Sequence, residues 1–328
     1  MKKYSIILLI VVSALGVKAQ SRKNVANFSQ VQQYFNPALT GFEGSMLKTY
    51  FRDQWTGFDQ APRTIFASGE LDLNQLKANK NNLGAEADTE YRLGSSGSHA
   101  FGLTLLLDQF GPLQQNQVNV SYATGVRLSE TLSLRLGGAL TYETSKLNPG
   151  SMTLDMENDP EYTDLLMNGD RANKLDGNIG LVLTSEDYYF GYAMQDIARG
   201  GATSGSEQLK NMYPRQHVVQ GGYRRGLTDQ FGLIVNGIYR YDSKVKETIE
   251  GQLKGVVNNT FWAGVGYRND LAVTFLGGVQ VNQFRIGYVR EIASGKAKGM
   301  NNGTNEIMLT YNLIPVKLEK QTRKISIW

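Results

Sequence analysis

The chain of 328 residues has no cysteine, so neither a disulfide framework nor a thiolate metal site is open to it. It has two histidines, His99 and His217, each just before a strand-like segment and neither beside a Ser–Asp arrangement that would make a hydrolytic triad. A lone His at a strand end reads as an interfacial or mouth residue. Proline is scarce, at seven, and beyond the first twenty residues no apolar run is long enough for a transmembrane helix. No glycine-rich phosphate loop leads from a strand into a helix. The Gly-Gly and Gly-x-Gly pairs fall inside strand-like segments, where they let a wall curve or neighbours pack. These absences leave no legible catalytic, cofactor or metal site, and the expectation is a protein that is not an enzyme.

What is present begins with an export signal. MKKYSIILLIVVSALGVKAQ carries Lys2 and Lys3, an apolar run from Ile6 to Val12, and then Val17-Lys18-Ala19. That order predicts a signal peptide over residues 1–19, cut between Ala19 and Gln20; the apolar run is too short to span a bilayer as an anchor. The formal net charge is +4. Removal of Lys2, Lys3 and Lys18 leaves about +1, so the basic balance is no nucleic-acid footprint. Thirty-six Gly, 17 Tyr and 13 Phe point to β-structure with tight turns.

The recurring pattern is alternation over about ten residues. In TLSLRLGGALTYE one face carries Leu132, Leu134, Leu136, Leu140 and Tyr142, and the other Ser133, Arg135, Gly137, Ala139, Thr141 and Glu143. In QVNVSYATGVRL, Val118, Val120, Tyr122 and Val126 oppose Asn119, Ser121, Ala123 and Arg127. Fourteen such segments lie near 45–54, 62–72, 98–108, 115–127, 131–143, 174–184, 187–194, 215–226, 229–241, 247–255, 259–268, 270–281, 283–291 and 304–313. Residues 83–93 form a weaker fifteenth, with charge on both faces.

The connections choose the architecture. From the fourth segment on, every second turn is short: Ser129-Glu130, Ser185-Glu186, Thr228-Asp229, Asn258-Asn259 and Asn282-Gln283. Longer loops, 144–173, 195–214 and 292–303, lie between them. A soluble sandwich has no reason for that rhythm, and no blade-length repeat supports a propeller. A transmembrane antiparallel β-barrel of about 14 strands, with short periplasmic turns and long extracellular loops, has it by construction. Backbone groups in lipid must be satisfied internally, which a closed barrel achieves. Aromatics such as Tyr188-Tyr189-Phe190 and Phe261-Trp262 fall near strand ends, where interfacial belts lie. The expected organisation is a signal peptide (1–19), an N-terminal periplasmic lead-in (20–44), an outer-membrane β-barrel (45–313) and a basic periplasmic tail (314–328).

Lys48, Arg52, Arg127, Arg135, Arg224, Arg240, Arg268 and Arg285 all have the lumen-facing parity, with Asp108 and Glu143 among the few acids. One reading is an anion-attracting pore, because a like-signed lining focuses field. The other is a filled barrel whose Arg bond to wall acids and an inserted segment, since unpartnered Arg in a narrow lumen is costly. The link 73–97 and the N-terminal 20–44 are the candidate fillers. Asp155, Glu157, Asp159, Glu161 and Asp164 offer oxygen ligands in one loop, but without the glycine and spacing of a calcium loop they read as a solvated acidic surface.

Two motifs open the mature chain. Asn36-Pro37-Ala38 with Gly41 precedes the first strand, and Gln54-Trp55-x-Gly57-Phe58-x-x-Ala61-Pro62-x-Thr64 follows it. These resemble the start of the PorP/SprF family, Bacteroidota outer-membrane proteins of type IX secretion and gliding motility. FGLTLLLDQFG, DYYFGYAMQDI, FWAGVGYRND, FRIGYVREI and NGTNEIMLTYN are similar to that family's successive strands, so the likeness runs from about Gln33 to Leu313. The link 73–97 and the tail after Leu313 are longer than the family pattern. The resemblance implies delivery or anchoring of a type IX-secreted surface protein, an adhesin, through its C-terminal sorting domain. It further implies contact with periplasmic secretion-ring proteins or the translocon, in outer-membrane lipid and without nucleic acid. A channel for a small hydrophobic or anionic solute is the alternative on the same fold. On residues alone, Pro37 fixes its own backbone and extends Asn36, so both motifs read as architectural.

Overall fold

A computed structural model of the chain describes residues 25–57, 60–81, 99–148, 171–198, 202–205, 214–242, 246–295, 303–315, 325 and 327–328. The strands are β1 (Met46–Asp53), β2 (Arg63–Asp72), β3 (His99–Phe110), β4 (Leu113–Arg127), β5 (Ser133–Leu147), β6 (Arg171–Thr184), β7 (Tyr188–Gln195) and β8 (Ala202–Gly205). They continue with β9 (Gln216–Gly226), β10 (Phe231–Asp242), β11 (Lys246–Val257), β12 (Phe261–Arg268), β13 (Ala272–Val281), β14 (Phe284–Ala293) and β15 (Thr304–Asn312). All fourteen segments expected from alternation are strands. The addition is β8, four residues pairing with Ala172–Leu175 of β6.

Fourteen of these strands form a closed antiparallel barrel. Each pairs with its sequence neighbours, β7 passes over β8 to pair with β9, and β1 closes on β15 with Met46 opposite Asn312. Closure leaves no unpaired edge in lipid. The short turns after β4, β6, β9, β11 and β13 lie at one rim with the start of β1 and the end of β15. That is the periplasmic rim, where the long β2–β3 link also starts and ends; the opposite, extracellular rim carries the connections 148–170, 196–215 and 294–303 beside tight ones after β3, β10 and β12. Asn258 and Asn259 both have positive φ (53° and 51°), which asparagine tolerates, in the tight β11–β12 turn that Thr260 N closes by donating to the Val257 carbonyl at 3.0 Å.

Wall parity follows the sequence. On β3, Leu103, Leu105 and Leu107 are 48%, 43% and 49% exposed, whereas Thr104, Leu106 and Asp108 between them are buried. The outward set meets lipid and the inward set meets the contents of the barrel. His99 and His217 belong to the outward set and lie at opposite rims; each holds a tyrosine hydroxyl at 2.7 Å, from Tyr122 and Tyr192 respectively.

Residues 25–44, expected as a periplasmic lead-in, lie inside the barrel instead. They form a 3-10 turn (Phe28–Gln30), a single helical turn α1 (Gln32–Phe35) and a second 3-10 turn (Pro37–Leu39) before entering β1. Phe28, Val31 and Phe35 pack with Tyr50, Phe66, Leu106, Val218, Ile238 and Met308 of the wall. Leu39 and Phe42 pack with Tyr189, Ile234, Val256 and Trp262. Burying these side chains is worth roughly 1.5–3 kcal/mol each, which a periplasmic position would forfeit. Of the two candidate fillers, the N-terminal segment therefore occupies the lumen. The described start of the link after β2 is helix α2 (Leu73–Asn81), capped by Asp72, which accepts from Asn74 N at 2.8 Å. Gln75 of α2 contacts Ser45 at the periplasmic rim. The tail, also expected in the periplasm, returns to the barrel: Ile325, Ile327 and Trp328 are buried there. The signal peptide, the 83–93 segment and the acidic run 155–164 lie outside the described residues.

Candidate functional site: a filled lumen

The filling segment descends from the extracellular end of the lumen to the periplasmic one, and wall charges clasp it at both ends. At the top, Glu306 of β15 accepts from Ala26 N at 2.8 Å and Asn27 N at 3.3 Å. Arg52 of β1 pairs with the same carboxylate and, at 3.0 Å, with Glu291. Arg268 joins Glu250 at 2.8 Å and Glu291 at 3.0 Å. Two guanidinium groups and three carboxylates thus share one buried network. Such a network offsets its desolvation only with every member present, and removing one costs about 3–5 kcal/mol.

At mid-depth the Asn36-Pro37-Ala38 motif finds its reason. Asn36 is fully buried; its side-chain oxygen accepts from Ala38 N at 3.0 Å, capping the 3-10 turn, and its amide donates to the Tyr192 carbonyl at 3.3 Å. The wall in front of it is glycine. A Cβ on Gly180 would overlap Asn36, and one on Gly137 would overlap the backbone of Pro37 and Ala38. Arg135 donates from Nε to the Ala38 carbonyl at 2.9 Å and from Nη2 to the Thr40 carbonyl at 2.6 Å, satisfying a turn that has left the β-ladder. Gln195 does the same for α1, donating to the Tyr34 and Phe35 carbonyls at 2.8 and 3.2 Å.

Lower down, Glu43 of the segment meets Arg285 at 3.2 Å and Lys48 at 3.5 Å. Lys48 also pairs with Glu70 at 2.9 Å, and the other oxygen of Glu70 accepts from Gly41 N at 2.7 Å. Gly41 has φ +68°, and Ala100 stands where its Cβ would point, so only glycine fits that bend.

Seven of the eight basic residues with lumen parity are buried within the barrel: Lys48, Arg52, Arg135, Arg224, Arg240, Arg268 and Arg285. Arg240 lies over the Phe35 ring at 5.6 Å. Arg127 is the exception. It ends β4 at the periplasmic rim, exposed, and donates to the carbonyls of Ser129 and Glu130 in its own turn, because the strand runs out before the lumen encloses it. Asp108 is buried and accepts from Thr64, while Glu143 is half-buried and accepts from Ser145. Sequence reading missed Lys254, Glu250, Glu291 and Glu306 as lumen groups. Their inward parity was the available signal. Glu43 and Gln195 carried none, since their partners are set by the fold.

The second motif shapes the extracellular β1–β2 connection. Gln54 N donates to the Pro62 carbonyl at 2.9 Å, closing the hairpin above the ladder. Trp55 adopts φ +54° and packs edge-on against Phe110 at 5.7 Å, and Gly57 has φ +101°. Thr56 ties this loop to β15, accepting from Asn305 at 3.0 Å. Ala61 is half-buried and Pro62 buried ahead of β2; Phe58 lies outside the described residues. Among the described residues no cluster of His, Asp or Glu is arranged to hold a metal ion.

The family model described as type IX secretion system membrane protein PorP/SprF matches residues 17–311. No curated protein matches the chain. Similar solved structures include the Acinetobacter baumannii outer membrane protein Omp33, at TM-score 0.43 and 7% identity, covering 82% of this chain and 96% of that one. The CymD monoaromatic hydrocarbon channel gives TM-score 0.48 and 11% identity, covering 89% and 93%. The P. putida toluene transporter TodX gives 0.42 and 9%, covering 85% and 92%. Likeness at this level says nothing of what passes through or binds this barrel. The family match spans most of the sequence, and the chain belongs to the type IX secretion system membrane protein PorP/SprF family as an outer-membrane β-barrel.

Proposed function

We propose that this barrel delivers or anchors a type IX-secreted surface protein at the outer face of the membrane, holding it through the cargo's C-terminal domain, and that it is neither an enzyme nor a solute channel. The filled lumen is the observation that carries this reading. Residues 25–45 bond to the wall from the Glu306 clasp down to Lys48, and of the cations that suggested an anion pore Lys48, Arg52, Arg268 and Arg285 are committed to internal carboxylates and Arg135 to carbonyls. What is left for recognition is the extracellular rim. Strands β5 and β6, β7 and β9, and β14 and β15 open there into the connections 148–170, 196–215 and 294–303. We assign the cargo-facing surface to these three connections, and contact with secretion-ring proteins or the translocon to the periplasmic rim.

The test is gentle extraction of the tagged protein from its native outer membrane, with identification of what co-purifies. A stoichiometric secreted protein carrying a type IX C-terminal domain supports the anchor. A lone barrel that also passes a small hydrophobic or anionic solute in liposomes overturns it in favour of the channel.

A further inference from the structure

The outward wall carries a polar row near its extracellular rim, on both sides of the seam that closes the barrel. Arg290 of β14 stands opposite Asn305 of β15, Asn305 opposite Asp53 of β1, and Asp53 opposite Arg63 of β2. One outward step towards the membrane middle, the same strands present Tyr288, Ile307, Phe51 and Ile65, all exposed. Charge on a lipid-facing wall costs most at mid-membrane and least at its edge, so this row marks the level of the outer-leaflet headgroups. Arg63 pairs with Gln109 of β3, and beside it Phe110 packs edge-on with Trp55 at 5.7 Å, an aromatic pair of the kind that sits at an interface.

One carboxylate serves two guanidinium groups. Asp53 Oδ1 accepts from Arg63 Nε at 3.4 Å, and Arg63 is otherwise largely exposed. Arg290 is held by neutral groups instead. Its Nη1 donates to Asn305 Oδ1 at 2.8 Å, and the same oxygen accepts from the Tyr288 hydroxyl at 2.7 Å. The Asn305 amide donates to Thr56 at 3.0 Å, and a Cβ on Gly303 would overlap the Arg290 guanidinium. Among the described residues no carboxylate forms an ion pair with Arg290, so the row keeps a net positive charge. A guanidinium fixed in place by neutral partners offers parallel N–H groups that match a phosphate. Three inter-strand spacings, roughly 14 Å, separate the two arginines.

We propose that this row binds the phosphorylated headgroup of an outer-leaflet glycolipid, Arg290 and Arg63 each taking a phosphate while the acyl chains lie along Tyr288, Ile307, Phe51 and Ile65. Charge complementarity selects this occupant, and the apolar belt directly below the row selects a lipid over a soluble anion. The bound lipid fastens the β1–β2 connection and the 294–303 connection, which meet where Thr56 N donates to the Gly303 carbonyl, to the membrane surface.

The experiment is native mass spectrometry of the full-length protein in detergent, titrated with diphosphoryl lipid A and with the same glycolipid stripped of both phosphates. Folding of each variant is checked by heat-modifiable gel mobility. The expected result is one saturable lipid, with the diphosphoryl form about ten-fold tighter than the stripped one. Arg290→Gln and Arg63→Gln should each remove most of that preference, while Arg225→Gln, an exposed arginine near the periplasmic rim, keeps it. Equal binding of the two glycolipids, or an undiminished preference in both variants, overturns the proposal. Displacement of the lipid by an equal concentration of inorganic phosphate also overturns it, in favour of a soluble anion. Should Arg290→Gln not fold, Arg63→Gln decides alone, because its side chain is largely exposed and bonds only to Asp53 among the described residues.

Discussion

Gly137 and Gly180 stand opposite each other across the β5–β6 ladder, and the Asn36–Ala38 turn occupies the space in front of both. A motif near the start of the chain and two glycines far along it are thus halves of one fit. Replacing Gly137 with Ala sets a methyl group against the backbone of Pro37 and Ala38, which cannot rotate away as a side chain can. The expected cost is about 1–3 kcal/mol of overpacking. Chemical unfolding in detergent checks it, and Gly138→Ala, whose Cβ would meet only the Asn178 carbonyl oxygen at an unstrained 3.9 Å, is the matched control with little effect.

Arg135→Lys keeps the charge and loses the fork that reaches two carbonyls at once. A loss of about 1.5–3 kcal/mol is expected from the hydrogen bonds to a charged group. Amide exchange in residues 38–42 should rise more than exchange in β5 itself. Equal protection in the variant and the parent would mean that Arg135 does not hold the turn.

Glu306→Ala removes the acceptor for Ala26 N and Asn27 N and strands part of the Arg52 charge. Destabilisation of about 3–5 kcal/mol is expected. The double variant with Arg52→Met should recover part of it, because the uncompensated cation goes too. Additive losses in the two single variants would contradict the shared network.

Leu105→Arg tests the parity of the wall. Leu105 faces outward near the middle of β3, so a charge there should cost about 2–4 kcal/mol in a bilayer. A neutral result in lipid vesicles would place that face away from the membrane.

Deleting 149–170 or 199–213 should abolish cargo retention while leaving a heat-modifiable, folded barrel. Surface cargo retained after both deletions would remove these connections from the anchoring role.

The strands were legible because a two-residue period marks every half-lipid, half-lumen wall, and TLSLRLGGALTYE displays it without ambiguity. The filler was not. Gln32, Gln33 and Tyr34 have no period and enough polarity to suggest solvent, yet Gln33 spends its amide on Ser68 and Tyr34 its hydroxyl on Gln117. A polar segment reads as exposed until the wall that satisfies it is known. Glu306 shows the opposite case: its inward parity in NEIMLTYNL is readable, opposite the apolar face of Ile307, Leu309 and Tyr311. The tail was the least legible part, since a basic composition says nothing of where Trp328 is buried.

The claim that residues 25–45 fill the barrel, and that the protein works at its rims, is tested most directly by single-channel conductance in planar bilayers. The full-length protein should be electrically silent at moderate voltage, and the variant lacking 25–44 should show discrete open steps. Stable steps of similar size in both proteins would contradict the account.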